Sequence, residues 1–148
     1  AAGTGHVVNI SSVFGLLGIP SQSAYNAAKF AVRGFTDALR MELEIDPCGV
    51  SATTVHPGGI KTNIAKNARM HDSVTKLAED PEQARRDFEK LFMTTPEKAA
   101  KQIVAAVQKD KRRALIGPDA KVLDLVSRLP AGVVQGVMIR GARRRAKG

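Results

Sequence analysis

Apolar and polar residues along this chain fall into blocks whose period changes from one stretch to the next. His6 to Ile10 reads His-Val-Val-Asn-Ile, a short apolar run bounded by Gly3 and Gly5 on one side and Ser11-Ser12 on the other. That pattern predicts a strand buried on both faces, as in a parallel sheet. After a loop containing Gly15, Gly18 and Pro20, apolar residues recur every three or four positions from Ser21 to about Ile45: Ala24, Ala27, Ala28, Ala31, Val32, Phe35, Ala38, Leu39 and Leu43. The spacing predicts a long amphipathic helix, alanine-rich on one side, that another backbone could approach closely. Asp46, Pro47 and Gly49 end it.

Val50 to His56 is rich in β-branched residues and stops at Pro57-Gly58-Gly59, which predicts a second strand. Residues 60 to 95 are polar and only patchily periodic, an excursion of short helices and loop. Thr95-Pro96-Glu97 then opens a helix with an N-cap hydroxyl, a proline in the first turn and an acid at the positive end of the dipole. Ala99, Ile103 and Val107 form its apolar stripe. Arg113 to Gly117 predicts a third strand and Ala120 to Leu129 a helix ending before Pro130. Strand, helix, strand, helix, strand is the order of an α/β parallel sheet with right-handed crossovers.

Composition changes this picture little. With 148 residues, 43% of them apolar and 25% charged, the chain suits one soluble domain. One cysteine, Cys48, excludes an internal disulfide framework and fits a reducing, cytoplasmic setting. His6, His56 and His71 are too scattered for a metal motif. The net charge of +9 invites a nucleic-acid reading, but five bases and no acid lie in the last nine residues, at Arg140, Arg143, Arg144, Arg145 and Lys147. Lys109 to Arg113 is a second basic cluster. With no aromatic residue beside either cluster, stacking on bases is disfavoured. The charge reads first as a solvated basic tail over 131–148, then as weak peripheral contact with a membrane, and last as a nucleic-acid site.

Two residues carry the first hint of chemistry. Tyr25 is the sole tyrosine, and Lys29 follows it by four positions, so both project from one helix face. A nearby ammonium favours the phenolate and makes a tyrosine a usable acid or base near neutral pH. A surface tyrosine beside a lysine explains the pair equally well when it stands alone. Ser12 lies thirteen residues earlier at the end of the first strand, where open α/β sheets place their ligands. Pro57-Gly58-Gly59 with Ile60 and Thr62 ends the second strand on the same edge of the sheet.

Asn9-Ile10-Ser11-Ser12, Tyr25-Asn26-Ala27-Ala28-Lys29 and Pro57-Gly58-Gly59-Ile60-Lys61-Thr62, at these spacings, closely resemble the C-terminal half of the short-chain dehydrogenase/reductases. The clear match covers residues 6 to 63. The resemblance implies a partial Rossmann-type domain over 1–130, three parallel strands with flanking helices, followed by the basic tail. It implies NAD or NADP as cofactor and interconversion of an alcohol and a carbonyl by hydride transfer. Carried over by position, Ser12 would bind the substrate oxygen and Tyr25 would donate or accept the proton. Lys29 would bind the nicotinamide ribose and lower the Tyr25 pKa. Pro57, Gly58, Ile60 and Thr62 would face the cofactor. A small alcohol or carbonyl substrate and a homo-oligomer built partly on the long helix also follow from the resemblance.

The family's catalytic asparagine and its glycine-rich pyrophosphate turn would precede residue 1. Gly3-Thr4-Gly5 leads into a strand rather than opening a helix, so it is no replacement. The chain therefore reads as a fragment, expected by itself to bind cofactor poorly, to be inactive and to aggregate. The alternatives are a non-catalytic remnant and a basic interaction module acting through the C-terminus. In the excursion, Met70, Phe88, Leu91, Phe92 and Met93 are candidates for a substrate lid or for plain apolar packing.

Overall fold

A computed structural model describes residues 3–63 and 92–145. The three strands form one parallel sheet in sequence order: β1, Gly5–Ile10; β2, Val50–Pro57; and β3, Arg113–Ile116. A single 3-10 turn, Val13–Gly15, follows β1. The long helix α1 runs from Ser23 to Ile45 between β1 and β2, and α2, Pro96–Gln108, lies between β2 and β3. Two further helices close the chain, α3 at Pro118–Val126 and α4 at Ala131–Arg145.

Hydrogen bonds fix the directions of the backbone groups. The Ser11 amide donates to the Val55 carbonyl and the Gly5 amide to that of Gly49. Because backbone groups alternate along a strand, the odd-numbered residues of β1 turn toward β2. In β2 the odd residues face β1 and the even ones face β3, as the Thr54 amide bonded to Arg112 requires. Pro57 falls on the side facing β1 and has no N–H to give, so the β1–β2 ladder stops at the edge carrying the candidate chemistry.

Side chains divide the same way. Val55 packs with Ala99, Ala106, Ala114 and Ile116 in the buried core under α2, flanked by Val8, Ile60 and Ile103. Thr54, one residue earlier, turns to the other face and donates to Asp37 of α1 at 3.3 Å. The expected cap of α2 is present, with the Thr95 hydroxyl accepting from the Lys98 amide and Pro96 in the first turn. Gly49, at φ +74°, turns the chain into β2 so closely that a Cβ there would sit 2.0 Å from the Gly3 carbonyl oxygen.

Several expectations need correction. β1 is only half-buried, because in this sheet it is an edge strand with a neighbour on one side. In α1 the buried residues are Asn26, Thr36 and Arg40, while the alanine-rich side with Phe35, 64% exposed, faces outward. Those polar residues are buried because each is bonded. Asn26 donates to the Ile19 carbonyl at 2.8 Å, and Thr36 accepts from Asn9 at 3.0 Å. Arg40 forms a two-pronged pair with Asp110 at 2.7 and 2.8 Å and also reaches Glu44, Ser51 and the Ala52 carbonyl. The stripe of α2 runs through Ala99 and Ala106, with Ile103 and Val107 only partly covered. The helix expected at 120–129 begins two residues earlier and ends at Val126. The segment expected as a solvated tail is helical from Ala131 and buries Val134. Met70, Phe88 and Leu91 lie outside the described residues; Phe92 is half-buried and Met93 exposed.

Two of the four bases in the second basic cluster are paired within the fold. Arg112 pairs with Glu44, and Arg113 bridges Asp37 and Asp124. These two arginines tie the β3 end of the sheet to α1 and α3, while Lys109 and Lys111 stay exposed with no ion pair among the described residues.

Candidate active site

The chain leaves β1 through Ser11 and Ser12, both buried. The Ser12 hydroxyl caps the 3-10 turn by accepting from the Phe14 amide at 3.1 Å. The Ser11 hydroxyl donates to the Lys29 carbonyl at 2.8 Å and so pins this turn to α1. Gly15 makes the contact close, since a Cβ there would lie 2.2 Å from Ser11 Oγ and 2.7 Å from the Lys29 carbonyl oxygen. Phe14 joins the two halves of the site: its amide holds Ser12, and its ring meets the Tyr25 ring edge-on at 5.8 Å.

Tyr25 is 40% exposed. The Lys29 ammonium sits 5.5 Å from the centre of its ring and donates to the Ile10 carbonyl at 3.1 Å. Ile10 is an even residue of β1, so this carbonyl belongs to the strand's outer edge. The structure thus gathers Ser12, Tyr25 and Lys29 around Phe14 and the end of β1, in a region with one open side.

At the end of β2, the Gly58 amide donates to Ile116 at 2.9 Å and the Gly59 amide to the Asp119 carboxylate at 2.6 Å. Ile60 pairs with Thr94, whose carbonyl accepts from Lys61 at 2.9 Å, and the Thr62 amide turns back to Ile60. Pro57, Gly58, Ile60 and Thr62 are therefore one braced turn, held by β3, by Thr94 and by the first turn of α3. A Cβ on Gly58 would come within 2.1 Å of the Asp119 carboxylate.

His56 joins the two strand ends. It is completely buried, and its Nδ1 lies 2.8 Å from the Ser12 carbonyl, which also accepts from the Gly15 amide at 3.0 Å. A carbonyl can only accept, so Nδ1 carries the proton. Nε2 is buried with no hydrogen-bond partner, and burial lowers the His56 pKa, the Ser12 bond opposing that effect less strongly. His56 is neutral at pH 7. Its place before Pro57 marked it as adjacent to the site, but its hold on Ser12 spans 44 positions and has no local sequence pattern. Asp119, which braces the glycine turn, had one sequence signal, an acid following a first-turn proline.

Comparison with known proteins decides the ancestry. Residues 1–73 match the family model described as short chain dehydrogenase. An oxidoreductase of Mycobacterium tuberculosis, SadH, is 47% identical over 142 residues, 95% of this chain and 50% of that protein. The chain belongs to the short-chain dehydrogenase family. It spans about half the length of the curated relatives it matches first. The fold agrees with solved short-chain dehydrogenases. One from Burkholderia cenocepacia, in complex with NADP, superposes with a TM-score of 0.67 at 18% identity, over 91% of this chain and 47% of that one. One from Burkholderia phymatum, in complex with NAD, gives 0.69 at 23% identity, over 89% and 48%. The three-stranded parallel sheet agrees with the fold of those structures, and both candidate strand ends belong to it.

Proposed function

We propose that this chain carries the acid–base half of an NAD- or NADP-dependent oxidoreductase that interconverts a small alcohol and a carbonyl. The observation that carries the reading is the Tyr25–Lys29 pair on an open edge beside a buried, braced Ser12. Family membership and the NADP and NAD bound by the two Burkholderia proteins support the cofactor.

The donor set suits the reactive end of such a cofactor. An ammonium has three N–H groups, and the Lys29 bond to Ile10 uses one, leaving others for ribose hydroxyls. Tyr25 is exposed enough to meet a substrate, and Pro57, Gly58, Ile60 and Thr62 present a turn already fixed from behind. When bound, the cofactor supplies the hydride acceptor or donor. Ser12 holds the substrate oxygen through its hydroxyl proton, while its own oxygen keeps the Phe14 amide. The Tyr25 phenol gives that oxygen its proton in reduction and takes it in oxidation. The Lys29 ammonium stands beside this acid–base group, 5.5 Å from the centre of its ring.

The same reading treats the polypeptide as one part of a larger working unit. No strand among the described residues pairs with the outer edge of β1, and an open hollow of about 450 Å³ lies beside it, lined by Asn9, Ile10, Ala31, Val32 and Phe35. A homo-oligomer built on the outward side of α1 fits the exposed Phe35, Met41 and Ile45.

The test is fluorescence titration of NADH and NADPH against the chain alone and against the product including whatever its gene encodes upstream. Binding by the extended form only is the expected result. In that form Tyr25→Phe lowers turnover by about 10²–10⁴-fold, the usual worth of a positioned acid–base group, with cofactor affinity nearly unchanged, whereas Lys29→Ala weakens both. Unaltered turnover in Tyr25→Phe would overturn the assignment.

A further inference from the structure

The end of the chain carries a surface that this chemistry leaves unused. Val134 of α4 is buried, and Met138 joins it with Leu16, Leu17 and Phe30 around a cleft of about 220 Å³. With that side turned inward, Val133 and Val137 share another stripe, 55% and 64% exposed, and Arg140 continues it one turn on. α3 and the turn after it expose a second stripe at Val122, Leu125 and Leu129, the last only four positions before Val133. No acid occurs from Ala131 onward, while Arg140, Arg143, Arg144, Arg145 and Lys147 do. Arg112, Arg113 and Arg128 each have a carboxylate partner, but Arg140 and Arg143 form no ion pair among the described residues.

We propose that the α3–α4 face docks on the surface of a membrane rich in anionic lipid. The exposed valines and leucines would enter the boundary between headgroups and acyl chains, and the arginines would meet the lipid phosphates. Charge and shape favour this occupant. Nucleic acid would use the arginines but not the apolar stripes, and residues 118 to 145 contain no aromatic ring on which a base could stack. A second copy of the face would set arginines against arginines. Crossing the bilayer is excluded for α4 alone: no single helix among the described residues is long and apolar enough. α3 and α4 have the composition of a span only when taken together, and they bend by 120° at their junction. A bent pair can lie along a surface with both segments in contact.

The experiment is flotation of the chain, and of any longer product of its gene, with two kinds of vesicle. One is pure phosphatidylcholine and the other contains about one third phosphatidylserine. Binding at least about tenfold tighter to the anionic vesicles at ~0.1 M salt, and lost at ~1 M where screening shortens to about 3 Å, supports the proposal. Replacing the arginines together (Arg140→Gln, Arg143→Gln, Arg144→Gln, Arg145→Gln) is expected to abolish that preference. Leu125→Ser with Val133→Ser and Val137→Ser weakens binding with the charge intact. These positions are exposed or terminal, and circular dichroism confirms that each variant keeps its fold. Equal binding to both vesicles, no binding, displacement of vesicles by duplex DNA, or self-association removed by the same serine substitutions would each overturn it.

Discussion

Replacing His56 by leucine tests the link between the two strand ends. The side chains are similar in bulk, so packing changes little. One neutral hydrogen bond is lost, worth about 1 kcal/mol, and the Ser12 carbonyl is not orphaned because the Gly15 amide still reaches it at 3.0 Å. Against that loss, the substitution removes a buried nitrogen that has no partner, and such a group costs about 1–3 kcal/mol. The net change at pH near 7.5 is expected to lie within about 1 kcal/mol of wild type or on the stabilising side. The decisive signal comes from acidification. Burial lowers the folded-state pKa of His56 below its ordinary 6.5, so between these values only the unfolded chain takes the proton. Stability is then intact above 6.5 and falls as pH drops, by up to about 1.4 kcal/mol for each unit. His56→Leu lacks this term. Urea denaturation followed by circular dichroism at pH about 7.5 and about 5.5 should show the variant gaining on wild type at the lower pH. Parallel curves at the two pH values, or a variant weakened by more than about 3 kcal/mol at the higher one, would refute the buried neutral imidazole.

Arg40→Leu removes the charge that gathers Asp110, Glu44, Ser51 and the Ala52 carbonyl. Because Asp110 and Glu44 remain partly exposed and can rehydrate, the loss is expected at about 2–4 kcal/mol, read from the urea midpoint. The Asp110 carboxyl is held down to about 2 from its ordinary 3.8 by hydrogen bonds from Arg40 and then Ser51. Its stabilising contribution is therefore complete above pH 3.8 and lost as pH falls toward 2; an acid titration of Asp110→Asn should be flatter across that window. Gly15→Ala forces the 3-10 turn away from α1 and is expected to cost about 1–3 kcal/mol. In the active form it should lower turnover more than cofactor affinity, because it displaces Ser12 relative to Tyr25.

The local elements were legible from the sequence because their signals are local. The β-branched run before Pro57 predicts β2 to within a residue, and Thr95-Pro96-Glu97 predicts the start of α2 at Pro96. The parallel order of strands follows from their alternation with helices. What could not be read was which side of α1 is buried. The alanine-rich side suits the approach of another backbone, yet the buried residues are Asn26, Thr36 and Arg40, whose partners at Ile19, Asn9 and Asp110 lie outside the helix. Ser12, Tyr25 and Lys29 were legible as a motif, and the structure brings them around Phe14. The braces, Asp119 on the glycine turn and His56 on Ser12, act across 60 and 44 positions and leave no periodic trace.

The placement of β1 at the rim of the sheet has a consequence for its backbone dynamics. Gly5, Val7, Asn9 and Ser11 turn their amides toward β2, whereas His6, Val8 and Ile10 turn theirs outward, where no strand among the described residues receives them. Deuterium uptake along this segment should therefore alternate residue by residue, slow at odd numbers and fast at even ones. In β2, uptake should be slow at the odd residues paired with β1 and also at the even ones from Thr54 on, where β3 pairs with it. A strand or partner that seals the rim would erase the alternation, so the exchange pattern from Gly5 to Ser11 reports directly on whether the sheet has been extended.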